Sequence, residues 1–163
     1  MIFITVGAQL PFDRLVLTVD EWAGRTGRQD IFAQIADGTR PQHFDSVDFL
    51  EPAPYRERMV ACDVVIAHAG MGSILTALEC GKPILVLPRR GSLGETRNDH
   101  QVATAERLGS LGKVTVAIDE AELLEKLDRV DQLSAAGPIG NRASTELIDR
   151  IRGFLGDVDA GRV

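Results

Sequence analysis

Residues 64–88, VVIAHAGMGSILTALECGKPILVLP, contain a complete strand–turn–helix–strand unit. An aliphatic run too short for a helix (64–67) gives way at His68-Ala69-Gly70-Met71-Gly72-Ser73 to a helical pattern over 72–80. Gly81-Lys82-Pro83 then breaks that pattern ahead of a second apolar run, 84–87. Apolar strands on either side of a helix point to neighbouring parallel strands buried on both faces. The turn also carries chemistry. Gly70 and Gly72 let the main chain bend sharply and approach a ligand, while the free N–H groups and positive dipole at the helix start favour an anion such as a diphosphate. Ser73 adds a hydroxyl donor. A plainer alternative is that the glycines only make a tight turn and that His68 is a core histidine with its hydrogen bonds satisfied. A bare Gly-x-Gly does not separate the two, and the spacing departs from the G-x-G-x-x-G of dinucleotide enzymes.

Outward from this unit the alternation continues. Strand-like runs lie at 2–6, 31–35, 47–50, 64–67, 84–87 and 114–117, and helical patterns at 13–24, 55–62, 72–80, 98–108, 120–130 and 143–155. The pattern predicts an α/β fold: a single Rossmann-like domain over 1–163, with an open, mostly parallel sheet and helices on both faces. Residues 41–46, 51–54 and 89–96 read as irregular, and 134–140 as a hinge before the last helix. Ligands of such sheets bind beyond the carboxyl ends of the strands, so the loops after Val6, Leu50, Ala67 and Leu87 are expected to form one site.

Unusual residues fall in those loops. Arg97-Asn98-Asp99-His100-Gln101 marks a loop turning into a helix, and its adjacent hydrogen-bonding side chains suit sugar hydroxyls. Asn98 or Asp99 as a mere helix cap is the plainer reading, which leaves His100 and Gln101 unexplained. Val6-Gly7-Ala8-Gln9 ends the first strand on a glycine, where the backbone can also approach a ligand. Phe49 and Leu50 offer an apolar wall with backbone amides for a planar base, or are core strand residues. Arg89, Arg90 and Arg97 flank the second motif, and guanidinium groups pair with carboxylates and phosphates.

Composition removes several classes. With 163 residues, 44% of them hydrophobic, the chain supports one buried core. A formal net charge of −6 argues against nucleic acid as a partner. The amino-terminal apolar run lacks a basic flank and does not read as a signal peptide, and no run approaches the ~18 apolar residues of a membrane span. Cys62 and Cys80 read as buried thiols, and the expected compartment is the cytoplasm. His43, His68 and His100 lack metal-ligand spacing and no D-x-D pair occurs, so neither a metal nor a cofactor is expected.

Taken together, VGAQLPFDRL, IAHAGMGSILTALECGKPILVLPRRG and ETRNDHQVATAERL resemble the carboxyl-terminal domain of family 28 glycosyltransferases, as an ordered series over roughly 1–130. The short form is similar to the catalytic subunit of the eukaryotic dolichol-linked UDP-N-acetylglucosamine transferase. It is more similar still to bacterial subunits of exopolysaccharide synthesis, including a glucuronosyltransferase type. The resemblance implies the donor half of a GT-B enzyme, with a UDP-sugar as donor substrate. His68, Ala69, Gly70, Gly72 and Ser73 would hold the diphosphate; Asp99, His100 and Gln101 would face the sugar; Phe49 and Leu50 would receive uracil. Many relatives carry an acid on the ribose where this chain has Thr76, with Glu79 one turn further on. The resemblance further implies a membrane-anchored acceptor-binding partner, a polyprenyl-linked acceptor and a peripheral place at the inner membrane. Residues 140–163, with Leu147, Ile148, Ile151, Phe154 and Leu155 on one stripe, would dock on that partner or pack back on the sheet. Transfer would be inverting and metal-independent, with His100, His68 or a partner group as base and Arg89 or Arg90 pairing a glucuronate carboxylate. The alternative is a non-catalytic nucleotide-sugar-binding regulatory subunit.

Overall fold

The computed structural model describes residues 1–137 and 143–162. Six short segments, the central ones apolar, build its sheet: β1 (Ile2–Thr5), β2 (Ile31–Gln34), β3 (Asp45–Val47), β4 (Val64–His68), β5 (Ile84–Leu87) and β6 (Thr115–Val116). All pairings are parallel, in the order β3-β2-β1-β4-β5-β6. Successive side chains on a strand point to opposite faces, and the central strands are apolar on both. Ile2, Ile4, Val64, Ile66, Leu85 and Leu87 therefore enter one core. Phe3, Val65, Ala67, Ile84 and Val86 enter a second core on the other face. Helices α1 (Asp13–Thr26) and α5 (Glu120–Leu127) cover the first face through Leu15, Val19, Trp22, Leu123 and Leu127. The second is covered by α2 (Pro52–Ala61), α3 (Met71–Glu79) and α4 (His100–Ser110) through Met59, Ile74, Leu78 and Ala105. The register sets Thr5 opposite both Gln34 and Ala67, so β1, β2 and β4 end level with one another. The strand order reverses between β1 and β4, which opens a crevice at that edge.

Several boundaries differ from the expectation. The edge strand β3 ends at Val47 because its only neighbour, β2, ends opposite it at Gln34. Residues 48–50 have no strand to pair with, and the Leu50 N–H donates instead to the Gln34 side chain at 2.9 Å. Helix α2 begins at Pro52 rather than residue 55. Prolines are harmless in a first turn, whose N–H groups have no acceptor within the helix, so Pro52 and Pro54 open this helix instead of excluding it. Strand β6 is only two residues long, and α5 ends at Leu127, followed by a 3-10 turn at Val130–Gln132. The predicted hinge at 134–140 falls partly outside the described residues. A last helix, α6 (Thr145–Asp159), is capped by Ser144, whose hydroxyl accepts from Leu147 N–H, and buries none of its residues.

Candidate functional site

At the crevice the loops after β1 and β4 enclose a cleft of two lobes. A polar lobe of about 500 Å³ is lined by Gln9, His68, Arg89, Thr96, His100 and Gln101, among others. A more apolar lobe of about 350 Å³ is lined by Phe49, Leu50, Pro52 and Tyr55, with Gln34 and Thr76. The two share Gly7, Ala8, Gly72 and Ser73, which form the waist between them. Helix α3 starts at this waist. Its cap residue, Gly70, supplies no side-chain hydrogen bond, and the first intrahelical bond runs from Ile74 N–H to Gly70 carbonyl (3.1 Å). The N–H groups of the preceding first turn are thus free to meet an anion.

Two glycines, Gly7 at the waist and Gly70 just before it, are required by His68. Its ring lies between Gly7 and Gly70: a Cβ on Gly70 would come 2.1 Å from Nε2, and one on Gly7 3.1 Å from Cε1. Gly7 also adopts φ +86°, a conformation glycine takes readily. Nδ1 of His68 lies 3.4 Å from the Thr5 carbonyl, a pure acceptor, so Nδ1 carries the hydrogen and Nε2 presents a lone pair. Burial, seconded by the charge of Arg89, pushes the His68 pKa down to about 4 against the weaker pull of the Thr5 bond. The imidazole is therefore neutral, and it can donate to a diphosphate oxygen only after gaining a proton. Ala69 is buried in the core, and neither it nor Gly70 lines either lobe, which departs from the expectation that both hold the diphosphate.

Arg89 and Arg90 adjoin in sequence and part in space. Arg89 is buried, and its guanidinium donates to the carbonyls of Pro11 (2.6 Å), Val6 (3.0 Å) and Leu10 (2.7 Å) while lying over the Phe12 ring. It is a brace for the loop after β1 and sets a fixed positive charge beneath the polar lobe. Arg90 turns to the Ile118 carbonyl and lines neither lobe, which corrects its expected place in the site. The loop between them and α4 is anchored by Glu95. This carboxylate accepts from Arg14 Nε (2.6 Å) and Nη2 (2.8 Å) and from Arg90 N–H (2.9 Å). Arg14 and the Arg90 N–H hold the Glu95 carboxyl below its ordinary pKa although burial opposes them.

Of the second motif, His100 and Gln101 line the polar lobe; Asn98 and Asp99 do not. Asp99 accepts from Gly91 N–H (2.7 Å), so its carboxylate fixes the loop instead of facing a sugar, contrary to expectation. Asn98 Oδ1 accepts from His100 N–H (3.2 Å) and bonds His100 Nδ1, so the other ring nitrogen, Nε2, is the acceptor. Gln101 is buried, with Oε1 taken by Arg89 N–H (3.2 Å), which leaves its amide NH₂ for a ligand.

In the apolar lobe Phe49 is half exposed, with a relative accessibility of 52%. The Leu50 amide, expected to face a planar base, is already bonded to Gln34. Gln34 bridges the site: its Nε2 donates to Gly7 carbonyl (2.8 Å) and its Oε1 receives Leu50 N–H. Thr76 lines the lobe and donates its hydroxyl to Gly72 carbonyl (2.8 Å). Glu79 lies beside Arg56 of α2 (3.9 Å) and does not line the lobe, so it is no substitute there. Gln34, Pro52 and Tyr55 were missed by sequence reasoning; a polar residue ending an otherwise apolar strand was the available signal for Gln34. Among the described residues no carboxylate lines either lobe, and no group of three or more His, Cys, Asp or Glu converges as a metal set.

Comparison with known proteins bears on this geometry. The model of the glycosyltransferase family 28 C-terminal domain matches residues 1–138. The UDP-N-acetylglucosamine transferase subunit ALG13 of Candida glabrata is 30% identical over 94 residues, 55% of this chain and 43% of that protein. Its Homo sapiens counterpart is 33% identical over 122 residues, 68% of this chain and 10% of that protein. The chain thus spans less than half the length of these curated relatives. A crystal structure of the glycotransferase of kitacinnamycin shares the fold, with a TM-score of 0.59 at 18% identity, over 99% of this chain and 40% of that one.

Proposed function

Because this chain belongs to the glycosyltransferase family 28 C-terminal domain family, we propose that its cleft binds a UDP-sugar and that the chain is the donor-binding half of a sugar-transferring enzyme. The observation that carries the reading is the two-lobed cleft pinched at the open start of α3. An apolar lobe suits a base, a helix N-terminus with two glycines suits a diphosphate, and a polar lobe suits a sugar. The relatives' name as a UDP-N-acetylglucosamine transferase subunit agrees with it.

The proposed reaction is an inverting transfer that needs no metal. An acceptor hydroxyl oxygen forms a bond to the anomeric carbon as the bond from that carbon to the diphosphate oxygen breaks, and the electron pair leaves with UDP. The N–H groups of α3 and the charge of Arg89 stabilise the leaving group. The hydroxyl proton goes to a base, either His100 Nε2, whose lone pair Asn98 orients, or a group on a partner. The acceptor we propose is a polyprenyl-diphosphate-linked saccharide of exopolysaccharide synthesis, held by a membrane-anchored second subunit. Among the described residues no helix is long and apolar enough to cross a membrane, whereas Leu147, Ile151, Phe154 and Leu155 of α6 are about half exposed and available for docking. A glucuronyl donor agrees with a polar lobe that has Arg89 beneath it and no lining carboxylate.

Calorimetry of UDP binding tests the site, and a donor screen on the chain co-purified with its partner tests the reaction. A His68→Ala protein with full UDP affinity and full transfer would overturn the assignment. Equal turnover of UDP-glucose and UDP-glucuronate would count against the glucuronyl donor. UDP-sugar binding without turnover in the complex would favour a regulatory subunit.

A further inference from the structure

We infer that the nucleoside lobe does not select ribose over 2′-deoxyribose, so that 2′-deoxynucleoside diphosphates and sugars linked to them are bound about as well as the ribo forms. The inference deepens the nucleotide-sugar reading and rests on it. With the base among Phe49, Leu50, Pro52 and Tyr55 and the diphosphate at Gly72–Ser73, the ribose must lie between them. Thr76 stands there, one helical turn beyond Gly72 on α3, and lines the same lobe.

Strong selection for a hydroxyl arises when its absence leaves a protein group without a partner; a site built that way rejects the deoxy analogue by about 10⁴–10⁵-fold. This lobe offers no such group. Both ends of the Gln34 amide are engaged, with Gly7 carbonyl and Leu50 N–H. The Thr76 hydroxyl is bonded to Gly72 carbonyl, and the Tyr55 hydroxyl faces Ser73 Oγ at 3.4 Å. Among the described residues no buried side-chain nitrogen or oxygen lacks a partner. Nor does any carboxylate line the lobe, so a ribose hydroxyl meets only neutral groups there and gains no charge-assisted bond. Removing the 2′-hydroxyl therefore strands no protein group and forfeits only a weak contact.

The test is calorimetric titration of the full chain with UDP and with 2′-deoxyuridine diphosphate, for wild type, Thr76→Val and Thr76→Glu. The wild-type dissociation constants should agree within about threefold and Thr76→Val should keep that ratio, whereas Thr76→Glu, by adding a charged acceptor, should favour UDP by about tenfold or more. A wild-type preference for UDP of tenfold or more would overturn the inference while leaving the nucleotide reading intact. A Thr76→Glu protein with an unchanged ratio would overturn the placing of the ribose at Thr76. If wild type bound neither nucleotide, the nucleotide reading itself would fall, and the inference with it.

Discussion

Acidification probes the wedge that His68 forms between Gly7 and Gly70. In the folded chain this imidazole titrates near 4, whereas in an unfolded chain it titrates near 6.5. Between those values the unfolded state takes up a proton that the folded state refuses, so stability falls as the pH drops from about 6.5 to about 4 and is unaffected by this group above that window. The full difference between the two values, at about 1.4 kcal/mol per pH unit, amounts to about 3.5 kcal/mol, of which about 2 kcal/mol is lost by about pH 5. That is a large share of the ~5–15 kcal/mol that holds an ordinary domain together. Urea unfolding followed by circular dichroism, at about pH 7.5 and about pH 5, measures it against a His68→Asn variant, whose amide can still donate to the Thr5 carbonyl but does not titrate. Wild type should lose about 2 kcal/mol more than the variant over that interval. Carboxylates such as Glu95 and Asp30, held below their ordinary range, add their own losses at lower pH and cancel in the comparison. Equal losses in the two proteins would refute the reasoning, as would an imidazole proton resonance titrating near 6.5.

Three further outcomes follow from the same geometry. Gly70→Ala forces a Cβ to 2.1 Å from His68 Nε2 and should cost about 2 kcal/mol or more of stability, whereas Gly72→Ala meets nothing within 4 Å and should keep or slightly raise the melting temperature while weakening UDP binding measured by calorimetry. Glu95→Gln removes the more buried of the two carboxylates paired with Arg14 and should cost about 1–2 kcal/mol in urea unfolding, since only the exposed Glu120 carboxylate, 3.2 Å from Arg14, would remain to balance that charge. Ile151→Asp combined with Phe154→Asp should leave the unfolding midpoint of the isolated chain almost unchanged, because α6 buries nothing, yet should abolish co-purification with the proposed acceptor-binding partner.

What the sequence made legible was whatever local pattern determines. Strands β1, β4 and β5 carry buried apolar residues on both faces, and the strand-to-helix turn at His68–Ser73 announces itself by its glycines. What escaped depends on encounters between distant segments. Gln34 matters because the loops after β1 and β3 meet over it, 27 residues before and 16 residues after it in the chain. Asp99 looked like a sugar contact until Gly91 N–H claimed it. Arg89 and Arg90 were indistinguishable as a basic pair, yet consecutive side chains leaving a strand point to opposite sides, one to the loop after β1 and the other to Ile118. The sequence pattern starts α2 at residue 55 and leaves 51–54 irregular, whereas prolines suit a first turn and the helix begins at Pro52.

Arg89 also bears on how a chain with a net charge of −6 can hold an anion. Affinity for a ligand is set by the field in the cleft and not by the net charge, and among the described residues no acidic side chain lines either lobe while one guanidinium, that of Arg89, is fixed at the polar lobe. Three main-chain carbonyls and the Phe12 ring hold that guanidinium in place, so its charge needs no rearrangement when a diphosphate arrives or when charge develops on a leaving group. The same charge helps keep His68 neutral, so the residue that braces the loop after β1 also sets the protonation of the imidazole at the waist. Bracing and electrostatics are thus one contribution: the carbonyls that Arg89 ties down belong to Val6, Leu10 and Pro11, and two of these residues, Val6 and Leu10, line the polar lobe.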